Sequence, residues 1–328
     1  MAELLLGVDG GNTKTIALVA RRDGTIVGAG RAGCSDIYST GREEVALGEI
    51  EAAVARALEA AGATLADVEA AGFSLAGADW SEDYDYLREG LSQRLAGIGC
   101  FEIVNDALGA LRAGTRDGVG LAVVCGTGGC VGARSPEGQA WHSSWWGLDT
   151  GGGAVGSAGL GAVFAAEMSM APETSLRRAA LELFDAETVE ELLFSFTRRH
   201  GRPPAQRAWF AQAVLREASA GDAVAREIVS EQGRRLGDVA RAGARVVGLE
   251  GRPFPLVLLG GVFRGDGAEL LRVEIAQRVP DGVPAAMRFE PAAGALLMAF
   301  DAVGVVADEE RLHETFPSLE LFASAGSG

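Results

Sequence analysis

The chain has 328 residues, of which 48% are hydrophobic and 23% charged, with a formal charge of −16. This is ordinary globular composition, in a chain long enough for two domains that each bury a core. The negative balance excludes a nucleic-acid partner or an anionic membrane surface, both of which need basic clusters, but not a phosphate ligand bound locally by backbone amides and a metal.

The first apolar strand, Leu4–Val8, runs into Asp9-Gly10-Gly11-Asn12-Thr13-Lys14-Thr15. A second strand (Ile16–Ala20), an Asp23-Gly24 turn and a third strand (Ile26–Gly28) follow. Arg42–Ala61 has helical periodicity through Val45, Ile50, Val54 and Leu58, and stops at Gly62. Ala70–Leu75 reads as a buried strand ending in Ala76-Gly77-Ala78-Asp79-Trp80, with Ser81 or Asp83 to cap the helix that runs to about Leu95. Phe101–Val104 is another strand, closing on Asn105-Asp106 before a helix over Ala107–Arg112. The loop Ala113–Gly118 marks a domain junction.

The opening pattern then returns. Leu121–Val124 leads into Gly126-Thr127-Gly128-Gly129, then Val131–Ala133, a turn at Ser135–Gly138, and Ala140–His142. Gly24 follows Gly11 by 13 residues and Gly138 follows Gly126 by 12, so the unit is duplicated. Glycine turns bring backbone N–H groups close to a bulky anion, and threonine adds a hydroxyl donor. Two such turns predict two halves that grip one polyphosphate, as in a nucleotide-driven phosphotransferase. A glycine-rich stretch spans Gly147–Gly161, and residues 163–248 are almost wholly helical in pattern, broken at Pro172 and Pro203-Pro204. Phe254–Leu259 is a strand ending in Gly260-Gly261-Val262-Phe263, followed by helices over Glu269–Val279 and Pro291–Ala302. The tail Ser324–Gly328 is expected to be disordered. Strands alternating with helices indicate α/β architecture with mixed sheets.

Cys34, Cys100, Cys125 and Cys130 form no Cys-x-x-Cys pair and have no histidine at metal-ligand spacing. They read as reduced thiols of a cytoplasmic protein. No basic region precedes the first apolar run, and no run approaches ~18 apolar residues, so neither secretion nor membrane spanning is expected. Lys14 is the single lysine, and it sits in the first glycine turn.

Asp9, beside that turn, is a candidate magnesium ligand, since magnesium favours carboxylates near phosphate and keeps its waters, its alternative being a plain turn or N-cap-like aspartate. Asp106 lies between a strand and a helix, where a carboxylate projects at the carboxyl end of a sheet. It is the candidate base for an attacking hydroxyl, its alternative being a plain helix cap. Gly260-Gly261-Val262 offers a backbone platform for adenine or ribose or, alternatively, a tight strand–helix turn, and Trp145-Trp146-Gly147 a stacking surface for a sugar or, alternatively, core aromatics.

These residues together resemble the N-acetylglucosamine kinase and BadF-type ATPase family, over about residues 4–305. Val8–Thr15 looks like that family's first phosphate motif and Cys125–Gly129 like its second. Ser74–Asp79 resembles a short glycine-containing segment, Asn105-Asp106-Ala107 the place of the catalytic aspartate, Leu259–Phe263 the adenosine motif, and Pro291–Ala295 the terminal helix signature. The resemblance implies a two-domain actin-like ATPase (ribonuclease H-like) fold, with duplicated mixed β-sheets and an ATP cleft between domains. Residues 1–114 would form the sugar-side domain and 115–305 the nucleotide-side domain, with a helical insertion at 163–248 and a tail at 306–328. It implies ATP with Mg2+, bound through Gly10, Gly11, Asn12, Thr13, Lys14, Gly126, Thr127, Gly128, Gly260, Gly261 and Val262, and a metal ligand at Asp9. It places a small sugar or amino sugar at Ser35, Asp36, Gly77, Asp79, Asn105, Trp146, Gly147 and Asp149, with Asp106 catalytic. The expected assembly is a homodimer.

Two departures concern the sugar. N-acetylglucosamine kinases of this family usually carry Ser-Asn where this chain has Ser35-Asp36, and an ionised aspartate only accepts hydrogen bonds. The stretch Trp146–Gly153 is shorter than the family's Trp-Gly…Gly-Asp-Glu-Gly-Ser-Gly and lacks its glutamate, leaving Asp149 as the match for the sugar-binding aspartate. The leading reading is an ATP-dependent kinase of N-acetylglucosamine or glucosamine. The alternatives are an ATPase that activates a 2-hydroxyacyl-CoA dehydratase-type enzyme, and a non-catalytic sugar sensor on the same fold.

Overall fold

The computed structural model describes residues 3–146 and 149–322. The chain divides into two compact units, one built from residues up to Val119 together with those from Ala286 onward, the other from Gly120 to Ala285.

The first unit opens with an antiparallel meander, β1 (Leu4–Gly10), β2 (Thr15–Arg21) and β3 (Ile26–Ala32). Helix α1 (Glu43–Ala61), strand β4 (Val68–Leu75), helix α2 (Ser81–Arg94), strand β5 (Cys100–Asn105) and helix α3 (Asp106–Gly114) follow. Strand β4 pairs parallel to β1 and β5 parallel to β4, giving the order β3-β2-β1-β4-β5. Because successive side chains on a strand point to opposite faces, Leu6 and Val8 enter one core with α1 and α2, while Leu5 enters a second. Burial on both faces explains why β1 reads as an unbroken apolar run rather than an alternating one. Helix α1 ends at Gly62 in the left-handed region, as its sequence predicts. Val45, counted in its apolar stripe, is instead exposed; Ala46, Leu47, Ile50, Ala53, Val54, Ala57 and Leu58 are buried.

The second unit repeats this plan. Strands β6 (Gly120–Cys125), β7 (Gly129–Arg134) and β8 (Ala140–His142) form its meander. Helices α4 (Gly152–Glu167), α5 (Leu176–Phe184), α6 (Val189–Thr197), α7 (Ala211–Ser219) and α8 (Ala223–Val246) come next. Strand β9 (Phe254–Leu259), helix α9 (Ala268–Arg278) and strand β10 (Gly282–Ala285) complete it. Read from its meander edge, the sheet order β8-β7-β6-β9-β10 matches that of the first unit position for position, and β9 and β10 are again parallel additions. The helical run breaks at the predicted prolines: α4 stops before Pro172, and a 3₁₀ turn, Pro204–Phe210, follows α6. Strand β10 was not expected, because four residues with a central proline carry almost no strand signal except at a sheet edge.

The expected boundaries need correction at the carboxyl end. Helix α10 (Pro291–Ala302), placed by its sequence position with the second domain, packs on the first unit's sheet. A Cβ on Gly7 would lie 2.2 Å from the backbone nitrogen of Leu296, so the helix axis rides directly on β1. Arg112 on α3 makes a bidentate ion pair with Asp301 on α10, with contacts of 2.7 and 2.9 Å. Helix α11 (Glu309–Glu314) and the segment to Phe322 also join this unit, with Leu312 buried. The expected disordered tail, Ser324–Gly328, lies outside the described residues, as does Gly147. Among the described residues no helix is long and apolar enough to cross a membrane.

Candidate functional site

The first unit gathers its candidate residues at the carboxyl ends of β1, β4 and β5. The glycine turn closes with a hydrogen bond from the Gly11 N–H to the Lys14 carbonyl at 3.0 Å, leaving Asn12 and Thr13 exposed. Its own backbone holds the two neighbouring loops: the Ser35 N–H donates to the Gly11 carbonyl (3.2 Å) and the Ala76 N–H to the Gly10 carbonyl (2.8 Å). Packing there is close, since a Cβ on Gly10 would lie 2.3 Å from Ser35 Oγ and one on Gly77 would lie 2.9 Å from the Ile37 nitrogen. Ser35 is fully buried and takes the Thr15 hydroxyl at 2.8 Å.

Asp9, Asp36, Asp79 and Asp106 form the acidic floor of this arrangement. Burial pushes Asp9 up to about 6, helped by Glu290 and opposed by Lys14 and a hydrogen bond with Ser74. Burial also pushes Asp106 up to about 7, and the charges of Asp9, Asp79 and Asp36 push in the same direction. The cap of α3 is Asn105 rather than Asp106: its side-chain oxygen accepts the Ala107 N–H at 3.1 Å, and its amide donates to Asp79 Oδ1 at 3.0 Å. Asp106 is therefore the first residue of the helix, with a carboxyl poised to change charge near neutrality. The Lys14 ammonium donates to the Phe322 carbonyl and lies 5.9 Å from that ring's centroid, in a contact the sequence did not suggest.

Asp36 is buried, and its two oxygens accept the Tyr38 N–H at 2.9 Å and the Ser39 hydroxyl at 2.8 Å. The Ser39 hydroxyl also contacts Asn12 Oδ1, which ties this loop to the phosphate turn. Tyr38 was not singled out from sequence and Asp83 only as a helix cap, yet the Tyr38 hydroxyl donates to Asp83 Oδ1 at 2.8 Å.

In the second unit, β6 ends in the second glycine turn, closed by the Gly126 N–H on the Gly128 carbonyl at 2.9 Å. The first N–H groups of α4 support it, Gly152 donating to the Gly126 carbonyl and Gly153 to the Thr127 carbonyl, both at 2.8 Å. Thr127 and Gly128 remain exposed. Gly260 has φ +108°, and a Cβ there would meet the Cys125 carbonyl at 2.3 Å, so only glycine lets the adenosine-like segment lie against the turn. Gln212 on α7, which the sequence gave no reason to choose, donates to the Gly261 carbonyl at 2.9 Å, and Val262 is buried. Gly126–Gly128, Gly152-Gly153 and Gly260–Val262 thus converge in one unit. Trp145 and Trp146 are more than half exposed, which removes the alternative that they are core aromatics; Asp149 is also exposed. Cys125 is buried, and its thiol is pushed up to about 12.

The fit of the implied groups follows from this chemistry. Exposed turn residues with threonine hydroxyls suit phosphate oxygens. Among the described residues, no three His, Cys, Asp or Glu side chains converge as a metal centre. One or two carboxylates such as Asp9 with phosphate oxygens suffice for magnesium, so the residues present fit it.

Fold and site together define an α/β ATPase of the actin-like type, with duplicated sheets each ending in a phosphate-type turn. The chain belongs to the BadF/BadG/BcrA/BcrD ATPase family, whose model matches residues 6–299. It is 28% identical over 320 residues to the N-acetyl-D-glucosamine kinase of Dictyostelium discoideum, covering 92% of this chain and 98% of that protein. It is 28% identical over 263 residues to the N-acetylmuramic acid/N-acetylglucosamine kinase of Clostridium acetobutylicum, covering 79% of this chain and 85% of that protein. A crystal structure from Chromobacterium violaceum, described as a candidate N-acetylglucosamine kinase, superposes with a TM-score of 0.70 at 24% identity, covering 90% of this chain and 99% of that one.

Proposed function

We propose that this protein is an ATP-dependent kinase that transfers the γ-phosphoryl group of ATP to a hydroxyl of an amino sugar, N-acetylglucosamine or glucosamine. The observation that carries the reading is Asp106: a half-buried carboxyl, held near neutrality, beside Asn105 and Asp79 at the end of β5. The names of the two relatives support the same reaction class.

In this reading Ser35, Asp36, Gly77, Asp79, Asn105, Trp146 and Asp149 are the sugar-binding residues. Asp106 accepts the proton of the attacking hydroxyl as its oxygen bonds to the γ-phosphorus and the bond to the bridging oxygen of ADP breaks. Gly10, Gly11, Asn12, Thr13, Lys14, Gly126, Thr127 and Gly128 bind phosphate, and Gly260, Gly261 and Val262 bind the adenosine. Asp9 would hold magnesium, which would supply neutralising charge at the phosphates. Orientation and electrostatics then provide most of the rate, as phosphoryl transfer requires. The assembly we propose is a homodimer.

ADP release, screened over glucose, glucosamine, N-acetylglucosamine, N-acetylmannosamine and N-acetylmuramic acid, tests the reaction class directly. Silence with every sugar would overturn it. ATP with magnesium should also raise the melting temperature, since a ligand at a hundredfold excess over its dissociation constant stabilises the folded state by ~2.7 kcal/mol. Thr127→Val, which removes one hydroxyl donor, should cut that protection by ~1 kcal/mol in calorimetry. Equal protection of variant and wild type would remove Thr127 from the phosphate site.

A further inference from the structure

The Tyr38 hydroxyl and the Asp83 carboxylate close a hydrogen-bonded path that no motif of the sequence marks. Asp83 stands in the first turn of α2 and is only 5% exposed. Its Oδ1 accepts the Tyr38 hydroxyl at 2.8 Å, and its Oδ2 accepts the backbone N–H groups of Trp80 at 2.7 Å and Asp79 at 3.2 Å. Tyr38 in turn uses its own N–H to hold Asp36 Oδ1. Asp79 accepts the Asn105 amide, and Asn105 caps the helix whose first residue is Asp106. The path therefore runs Asp36, Tyr38, Asp83, Asp79, Asn105, and ends beside Asp106. The Tyr38–Asp83 link is a side-chain contact between residues 45 apart in the chain, and it joins the loop after β3 to the first turn of α2. A buried carboxylate with three donors is also stiff, because each donor lost would leave charge uncompensated.

We propose that Tyr38 and Asp83 are positioning residues for the sugar: they hold the loop carrying Asp36 in register with the loop carrying Gly77 and Asp79. Neither touches the reacting atoms. The proposal rests on the kinase reading above, because it assigns sugar contacts to those two loops. Burial and the Asp83 charge both push the Tyr38 phenol upward, so the hydroxyl keeps its proton and donates throughout the working pH range.

The test compares wild type, Tyr38→Phe and Asp83→Asn in a coupled ADP-release assay, varying sugar and ATP separately. Tyr38→Phe removes one oxygen and leaves the ring, and it should raise KM for the sugar about fivefold, the equivalent of one net hydrogen bond. KM for ATP should stay within about twofold, because the nucleotide segments are not on this path. In the double variant the sugar KM should be no worse than in the weaker single variant, as coupled partners require. An unchanged sugar KM in Tyr38→Phe would overturn the proposal, as would a parallel rise in both KM values, which marks general loosening. Absence of sugar-dependent ADP release from the wild type would instead overturn the kinase reading, and this proposal with it.

Discussion

Replacing Asp106 by asparagine should lower kcat by ~10²–10⁴-fold while leaving ATP affinity nearly unchanged, because a general base acts on the proton in flight and not on the nucleotide. The wild type should show the matching pH dependence. A base works only when ionised, and the Asp106 carboxyl is pushed up to about 7, first by burial and then by the neighbouring Asp9. Its kcat/KM should therefore climb with pH through a midpoint near or somewhat below 7, since a cation held at Asp9 would favour the ionised form, and level off above it. The stability effect has the opposite sign. A carboxyl whose folded value is raised above its unfolded one contributes stability that is present below the unfolded value of about 4 and lost as pH rises through about 7. Asparagine removes that loss, so Asp106→Asn should be at least as resistant to denaturant as the wild type at pH 8. Inactivity of that variant then cannot be ascribed to unfolding. Retention of more than about a tenth of wild-type turnover would make Asp106 only the first residue of α3, and the general-base reading would fall.

The duplicated plan was legible because each central strand is buried on both faces and runs into a glycine turn. Those two facts leave a dense apolar run with a sharp stop, as in Leu4–Gly10 and Gly120–Cys125. Helix α10 was legible as a helix but not as a partner of the first sheet. The clue was present: Leu5 and Leu6 are both fully buried and point to opposite faces, so β1 required a layer on each side. Helices α1 and α2, beside it in sequence, cover one face, and the other is filled from 289 residues further along, where Leu296 packs against Gly7. No local pattern encodes that choice. Strand β10 and helix α11 escaped because four or six residues hold too few side chains to show a period. The acidic floor was legible one residue at a time, as carboxylates after strands. The Tyr38–Asp83 link was not, since Asp83 three residues after Trp80 reads as a local helix cap, and it is one. Its second oxygen does the long-range work, and sequence spacing cannot reveal where a second lone pair points.

Asp36→Asn should shift the ratio of catalytic efficiencies toward N-acetylglucosamine and away from glucosamine by about tenfold, or ~1.4 kcal/mol of transition-state discrimination. The buried Asp36 carboxylate accepts one hydrogen bond on each oxygen, from the Tyr38 N–H and the Ser39 hydroxyl, which leaves a lone pair on each for a ligand. Its neighbours raise its significance: Asp36 and Asp79 both act on Asp106 as negative charges. A protonated amine entering that field gains a charge-assisted hydrogen bond, roughly twice as strong as a neutral one, and the low local dielectric amplifies it. An acetamide N–H brings no charge of its own to the carboxylate and so lacks the ion-pair attraction, and it must find room beside Gly77, where even a Cβ would lie 2.8 Å from the Ile37 side chain. Asparagine has nearly the same shape as aspartate, and its oxygen can still take the Tyr38 N–H, so the substitution changes charge more than geometry. It also restores the Ser-Asn pair usual among the N-acetylglucosamine kinases this chain resembles. Steady-state kinetics of both sugars with both proteins decide the matter. A ratio that does not move, with the two substrates weakened equally, would mean that Asp36 accepts from sugar hydroxyls alone and that its charge plays no part in choosing between amine and acetamide.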